Sequence, residues 1–513
     1  MKHILGFIGL SLFFLISCAD QLDLKPENSL TFNNAFENEK DIVAGINRVE
    51  EIIRGNISIA NYTPTVERGC YADEVSASRA LVRELSSATI PQLPWNTHYQ
   101  AINQANIVLP YVDQIPMTKE RKDWYKGRIA FYKALVYFDM IRRWGDCVLI
   151  KEEIVIDPMA KSSWVEIADY ALEQAKLAAK LLPPFDKAVD ENGNTMKFKS
   201  TPCQGAANAL LAHLAAWKAG GKYFAQPQDQ NYNENELWEL AEDACTEIIK
   251  SPLYRLANDP EEVCTSVLVG NSSESIYETE IRTYFSELGM LVEGGYFVLG
   301  GMYETYPVKP GSSLASVQYS DFKIKASSMK KMFPGDDLRR QAYFYKLDSL
   351  SHDSLDYKTG GYAYVYKWRP IVTYTEGWNI GKFKSFHVNR IWWRLSDIIL
   401  LRAECRARLN KPEAIDDLNS VRERAHAPAY SASEYNGDLR YAIFKEREKE
   451  LLLEGHRYFD IIRNGYANLE LEGGFRTATQ QDFIDGAFFF CTPLEAFTRN
   501  PLMRQNTYWF KFM

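Results

Sequence analysis

Apolar residues recur at helical spacing over most of the chain. In the run Trp392-Trp393-Arg394-Leu395-Ser396-Asp397-Ile398-Ile399 and onward, Leu395, Ile399, Ala403 and Ala407 form one stripe, which predicts a helix starting at Trp392. Asn410-Lys411-Pro412 interrupts the stripe, and Pro412 suits the first turn of a second helix carrying Ile415, Leu418, Val421 and Ala425. So short a connection makes the two an antiparallel hairpin. A third helix is predicted from an N-cap at Asp438 through Glu446, Glu450 and Glu454 to Asp460 and Arg463. The same texture predicts earlier helices at 39–53, 99–112, 120–143 (closed by Gly145), 164–182, 205–219 and 237–249. Helices 120–143 and 164–182 pair in sequence, as do 205–219 and 237–249, each second helix carrying small residues at i+3 and i+4. This is the pattern of degenerate tetratricopeptide-type hairpins separated by insertions.

Between 252 and 388 the periodicity changes. Ser275-Ile276-Tyr277-Glu278-Thr279-Glu280-Ile281 alternates as a strand does, and Gly294-Gly295 and Gly300-Gly301 mark turns. Tyr362, Tyr364, Tyr366 and Trp368 fall on one face of another predicted strand, opposite Ala363, Val365 and Lys367. The expected fold is mainly α: a tetratricopeptide-like helical-hairpin scaffold over 39–252 and 389–464, a large irregular insertion of loops and short strands over 253–388, and a C-terminal tail, 465–513.

The N-terminus predicts an address. Residues 1–17 pair Lys2 with an apolar stretch at 4–16 that is short for a membrane span, as in a secretory signal. They end in Leu15-Ile16-Ser17-Cys18, which resembles the bacterial lipobox. That resemblance implies cleavage before Cys18, lipidation of its thiol, and a polar tether over 18–30. Several acyl chains anchor far more firmly than one. A net charge of −8 disfavours nucleic acid and anionic membrane surfaces as main partners. The eight cysteines contain no CxxC or metal-ligand spacing, so the seven beyond Cys18 read as buried small apolar residues.

Glu446, Glu450 and Glu454, at i, i+4 and i+8, repel one another on an isolated helix. Either they form a solvated acidic face, or arginines of the hairpin (Arg402, Arg422, Arg424) dock on them. The residues around them carry a resemblance. Leu418-Asn419, Val421-Arg422 and Arg424-Ala425 resemble the LN-x-VR-x-RA segment of the SusD-like (RagB/SusD) nutrient-binding outer-membrane lipoproteins. Glu446-Arg447, Glu450-Leu451, Glu454-Gly455, Arg457, Asp460 and Arg463 are similar to that family's ER-x-x-EL-x-x-EG-x-R-x-x-D-x-x-R helix. Leu22-Asp23 and Pro26, then Trp144-Gly145-Asp146, and finally Asn500-Pro501, Gln505-Asn506 and Tyr508 extend the likeness to both ends. Arg48 departs from the usual glycine, and 252–388 matches least. The resemblance implies a scaffold role for these acids and arginines. It also implies a lipid-anchored protein of the outer membrane facing the exterior, which binds an oligosaccharide or peptide and delivers it to a SusC-like TonB-dependent transporter.

No GxSxG, HExxH, P-loop or GxGxxG occurs, and no cofactor, metal site or catalytic residue is expected. Glu278 and Glu280, at i, i+2 on one strand face, lack the split environments that a glycosidase pair needs. His213 reads as packed within its alanine-rich helix. Glycan binding needs flat aromatic faces and planar polar side chains, and irregular segments supply both. The candidate ligand residues are Asp73, Arg79, Trp95, Asn96, Tyr296 and Trp378, with Tyr303 and Tyr306 beside the glycine-rich turns. Two other readings stand beside capture: a lipid-anchored glycan hydrolase on a helical scaffold, and a subunit that seals the transporter without touching ligand.

Overall fold

The computed structural model describes residues 36–55, 74–75, 83–87, 90–151, 154–155, 157–280, 306, 322–350, 361–369, 371–498 and 500–513. The signal, Cys18 and the tether lie outside these residues, as do Asp73, Arg79, Tyr296 and Tyr303.

Helices α1 (Glu39–Ile52), α2 (Asn96–Gln114), α3 (Lys119–Arg143), α4 (Trp164–Leu181), α5 (Gln204–Gly220) and α6 (Glu234–Lys250) follow in order. After the insertion come α7 (Leu395–Arg408), α8 (Ala414–Arg424), α9 (Leu439–Glu450) and α10 (Arg457–Asn464). From α1 to α8 each helix packs on the next, so the hairpins stack into one continuous array. Side-chain caps set the starts: Asn38 with Asp41 as a capping box, then Thr118, Ser163, Asn233 and Asp438. Alanines let α5 pack on several sides at once, with Ala207, Ala209, Ala212, Ala215 and Ala216 fully buried. Gly220 ends that helix so close to α10 that a Cβ there would lie 2.4 Å from the Arg463 carbonyl oxygen. Gly145 closes α3 at φ +68°, as its position predicts.

Among the described residues there are seven short strands: β1 (Glu74–Val75), β2 (Ser275–Thr279), β3 (Phe322–Lys325), β4 (Tyr362–Ala363), β5 (Ile371–Thr373), β6 (Phe383–Phe386) and β7 (Arg390–Arg394). They pair antiparallel as β1-β3-β4, β2-β7 and β5-β6. A second cluster of buried residues, separate from the helical core, gathers Val263, Met329, Phe333, Phe344, Val365 and Trp368 with Leu452 from beyond α9.

Three predicted elements are corrected. Trp392 and Trp393 belong to β7, and the helix begins at Leu395. Their run alternates across a strand that pairs with β2, and this tertiary pairing overrides the helical reading. The helix predicted from Asp438 to Arg463 is two, because Leu453 (φ +63°) and Gly455 (φ +89°) break it after Glu450. The tyrosine-rich strand shortens to β4 plus one bridge, Val365 to Phe344.

Candidate functional site

The acidic repeat is interior. Glu446 and Glu450 are fully buried and the Glu454 side chain is 5% exposed. The solvated-face reading is therefore corrected. Glu450 accepts from Arg394 Nη1 at 2.6 Å, from Arg424 Nη2, and from Arg339 Nη1 at 3.4 Å. Glu446 takes Arg339 Nη1 at 2.6 Å and Arg422 Nε at 2.9 Å. Glu454 takes Lys367 Nζ at 2.6 Å and Arg394 Nη2 at 2.7 Å. Of the predicted arginines, Arg422 and Arg424 dock here, whereas Arg402 turns to Asp417 at 2.7 Å. Arg394, Arg339 and Lys367 complete the cluster. Burial acts to raise the Glu450 carboxyl, but Arg424, Arg394 and Arg339 outweigh it and hold the group well below its usual range. The three carboxylates are thus each committed to buried basic partners, which gives them a structural role. A second buried charged pair lies nearby in the scaffold: His213 Nε2 lies 2.9 Å from Asp397 Oδ2 and its ring stacks on Trp393, so the packed reading of His213 matches its placement.

Glu278 is equally committed. It accepts from the Asn271 and Asn389 side of its loop (Asn271 N–H at 2.8 Å, Asn389 Nδ2 at 3.0 Å) and from Ser275 Oγ at 2.8 Å, while the same Asn389 amide reaches Glu280 at 2.9 Å. Among the described residues no group of His, Cys, Asp and Glu is arranged to hold a metal. The six described cysteines, Cys147, Cys203, Cys245, Cys264, Cys405 and Cys491, are buried free thiols.

The aromatic candidates separate sharply. Trp95 caps α2 from inside the core, 4% exposed, edge-on to Tyr99 at 5.7 Å and to Trp144 at 6.1 Å. A platform role for Trp95 is corrected on this ground: the start of α2 packs against the end of α3 and leaves its ring no free face. Asn96, the next residue, is exposed, and its Oδ1 accepts from Thr97 N–H at 2.9 Å. Trp378 is the opposite of Trp95. The chain has 11 tryptophans; ten are 5% exposed or less, and Trp378 is 101% exposed. It stands on the turn between β5 and β6, which Gly377 (φ +75°) and Gly381 (φ +78°) permit and which Tyr374 N–H to Lys382 O at 3.0 Å and Lys382 N–H to Asn379 O at 2.9 Å hold closed. Ile380 beside it is 65% exposed. Burying a ring of this size removes about 150–250 Å² from water, so a wholly exposed indole is unexplained by folding and fits a binding role.

A second aromatic surface lies in the same insertion. Tyr345 N–H bonds Tyr364 O at 2.9 Å, Tyr366 N–H bonds Tyr343 O at 2.7 Å and Tyr306 N–H bonds Val365 O at 2.9 Å. Alternation sends Phe344 and Val365 inward and leaves Tyr345 and Tyr366 half-buried on the other face. There Tyr306 stacks on Tyr345 at 3.7 Å and 7°, Tyr366 meets both edge-on, and Arg369 covers the Tyr366 ring at 4.3 Å. Tyr345 was hidden from sequence reasoning; its signal was the alternation Tyr343-Phe344-Tyr345 opposite Tyr364-Val365-Tyr366.

The architecture is thus a stacked-hairpin helical scaffold that carries a loop-and-strand insertion with an outward aromatic face. Residues 268–509 match the family model described as SusD family, and residues 20–215 match the one described as starch-binding associating with outer membrane. The chain is 23% identical, over 97% of both chains, to SusD-like protein P38 of Formosa agariphila. A SusD homologue of Bacteroides thetaiotaomicron superposes with a TM-score of 0.72 at 23% identity, covering 93% of this chain and 99% of that one. A laminarin binding SusD-like protein superposes at 0.67 with 20% identity, covering 92% and 99%. The chain belongs to the SusD-like family.

Proposed function

We propose that this protein is an outer-membrane surface lipoprotein, anchored through Cys18, that captures an oligosaccharide and passes it to a SusC-like TonB-dependent transporter. The observation that carries the reading is Trp378, the exposed exception among 11 tryptophans. The laminarin-binding relative and the family's starch-binding, outer-membrane description support a carbohydrate ligand. Capture is non-covalent: Trp378 offers a face to sugar C–H groups, and the tyrosines and Asn96 are further contacts to test. Asp73, Arg79 and Tyr296 remain proposed ligand residues on the strength of their sequence positions. Among the described residues no helix is long and apolar enough to cross a membrane, which suits attachment through the lipid.

Calorimetric titration of the mature protein with a panel of glycans, laminarin and starch oligosaccharides included, tests this. About half of the Trp378 ring area covered by sugar, at about 25 cal/mol per Å², is worth about 2 kcal/mol or roughly thirtyfold in affinity. Trp378→Ala should lose about that factor with an unchanged melting temperature. Binding unaffected by Trp378→Ala would refute the assigned surface, and reducing ends released from the bound glycan would favour the hydrolase reading. Co-purification with a SusC-like transporter tests the partnership that delivery requires.

A further inference from the structure

A cavity of about 260 Å³ lies where the C-terminal tail folds back over the junction of α3 and α4. It is far in the fold's logic from the aromatic insertion: its walls come from the scaffold and the tail alone. Trp164, Phe224 and Phe489 form an apolar side, with ring centroids 5.1 Å apart for the first pair and 5.9 Å for the second.

The polar side is built and partly unspent. Asp146, the residue after Gly145, is held by Trp164 N–H, which donates to its Oδ1 at 2.8 Å. Its Oδ2 accepts no hydrogen bond among the described residues. Lys161 Nζ donates to Asn506 Oδ1 at 2.8 Å and to Thr492 Oγ1 at 3.2 Å, leaving one ammonium proton. Asn506 is itself fixed by donating to Phe490 O at 3.0 Å. Asp146 and Lys161 face the same void and do not pair with each other. Burial pushes the Asp146 carboxyl up and the Lys161 ammonium down, each effect partly offset by the opposite charge. Arg504 and Asp485 at the rim add one charge of each sign.

These features select a ligand class. Equal numbers of carboxylates and cations give no net field for a phosphate or a polycation. A free carboxylate oxygen and a free ammonium proton, fixed beside aromatic walls, match hydroxyl groups on a ring with an apolar face. The volume is below the range of about 300–1,000 Å³ typical of drug-sized ligands, so one ring fits and a chain does not. The geometry points to a second site, independent of Trp378, that takes a neutral polyhydroxylated molecule of about one monosaccharide unit, with Asp146 and Lys161 binding its hydroxyls.

The test is titration of the mature protein with D-glucose, D-galactose, D-mannose and myo-inositol, with glycine as a zwitterionic control. Two variants separate folding from binding. Asp146→Asn keeps the acceptor for Trp164 N–H and replaces the bare oxygen by an amide. Ala160→Trp, at an exposed rim position, blocks the mouth from outside the core. The expected result is saturable binding of at least one polyol, weakened about tenfold or more by each variant, and unchanged by Trp378→Ala. Lack of saturation by every polyol overturns the proposal, as do preference for glycine, indifference to Ala160→Trp, and loss of the binding in Trp378→Ala. Because the last variant reports on the capture surface alone, failure here is distinguishable from failure of the proposed function.

Discussion

Replacing Glu450 should unfold the protein long before it affects binding. The carboxylate accepts from three guanidinium groups, and they differ in what they keep without it. Arg394 retains Glu274 at 2.7 Å and Glu454 at 2.7 Å, and Arg339 retains Asp337 at 2.8 Å and Glu446 at 2.6 Å. Arg424 retains only Glu274, at 3.5 Å, and its Nε already lacks a hydrogen bond. Removing one partner from a buried ion cluster costs about 3–5 kcal/mol, because a charge is left uncompensated in a dry site. At roughly 2 °C per kcal/mol for a large chain, Glu450→Ala should lower the melting temperature by about 6–10 °C. Adding Arg424→Met removes the stranded charge and should recover part of the loss, a coupling of about 1–3 kcal/mol in a double-mutant cycle. Differential scanning calorimetry at neutral pH reads the stability, and glycan titration below the transition reads the function. A shift under about 2 °C would refute the uncompensated-charge argument; a loss of affinity without a loss of stability would refute the structural assignment of the acid.

Three further outcomes are expected. Burial raises the Glu454 carboxyl, but Arg394 and Lys367 win and hold it at about 2 against an ordinary 4.5, so its contribution of about 3 kcal/mol is complete above pH 4.5 and is lost as pH falls toward 2; urea midpoints across that window should fall with acid, and a flat profile would contradict the pairing. Trp95→Ala should cost about 3–5 kcal/mol as a core truncation while glycan affinity of the folded protein holds, and an affinity loss at unchanged stability would restore Trp95 to the ligand surface. Gly220→Ala forces a Cβ against the Arg463 carbonyl and should cost about 1–3 kcal/mol as overpacking, read as a lower thermal midpoint; a neutral effect would show that α5 and α10 part easily.

The hairpins were legible because local signals and tertiary packing agree in them. Asp438, Pro412, Gly145 and the alanines of α5 each do locally what the array requires globally. The misread elements are those where a partner distant in sequence decides. Trp392 and Trp393 look helical until β2, more than a hundred residues earlier, pairs with them. The chain turns at Leu453, a residue with no propensity for a left-handed backbone, because Lys367 draws in the Leu452 carbonyl at 2.8 Å and the Glu454 carboxylate. The candidate site divides the same way. Trp378 lies between two glycines that mark a turn, so its exposure could be inferred. Trp95 also follows a proline-rich loop, and only the fold reveals that Trp144 covers it.

The buried ions explain how an insertion with its own core keeps a fixed pose on a helical array. Arg339 and Lys367 come from the insertion, Arg394 from β7, and Arg422 and Arg424 from α8; the acids they meet, Glu446, Glu450 and Glu454, come from α9 and the turn beyond it. Apolar contacts alone would stabilise that junction at least as well, since desolvating ions offsets much of their attraction. Yet apolar contacts tolerate sliding, whereas charge-assisted hydrogen bonds hold their partners at a set distance and direction. Lys367 is the sharpest case. It sits one residue from Tyr366 in the tyrosine stack and four before β5, the strand that leads to Trp378. Anchoring it to Glu454 sets where the aromatic surface emerges from the scaffold. The acidic repeat thereby fixes the position of the aromatic face proposed above to take the ligand.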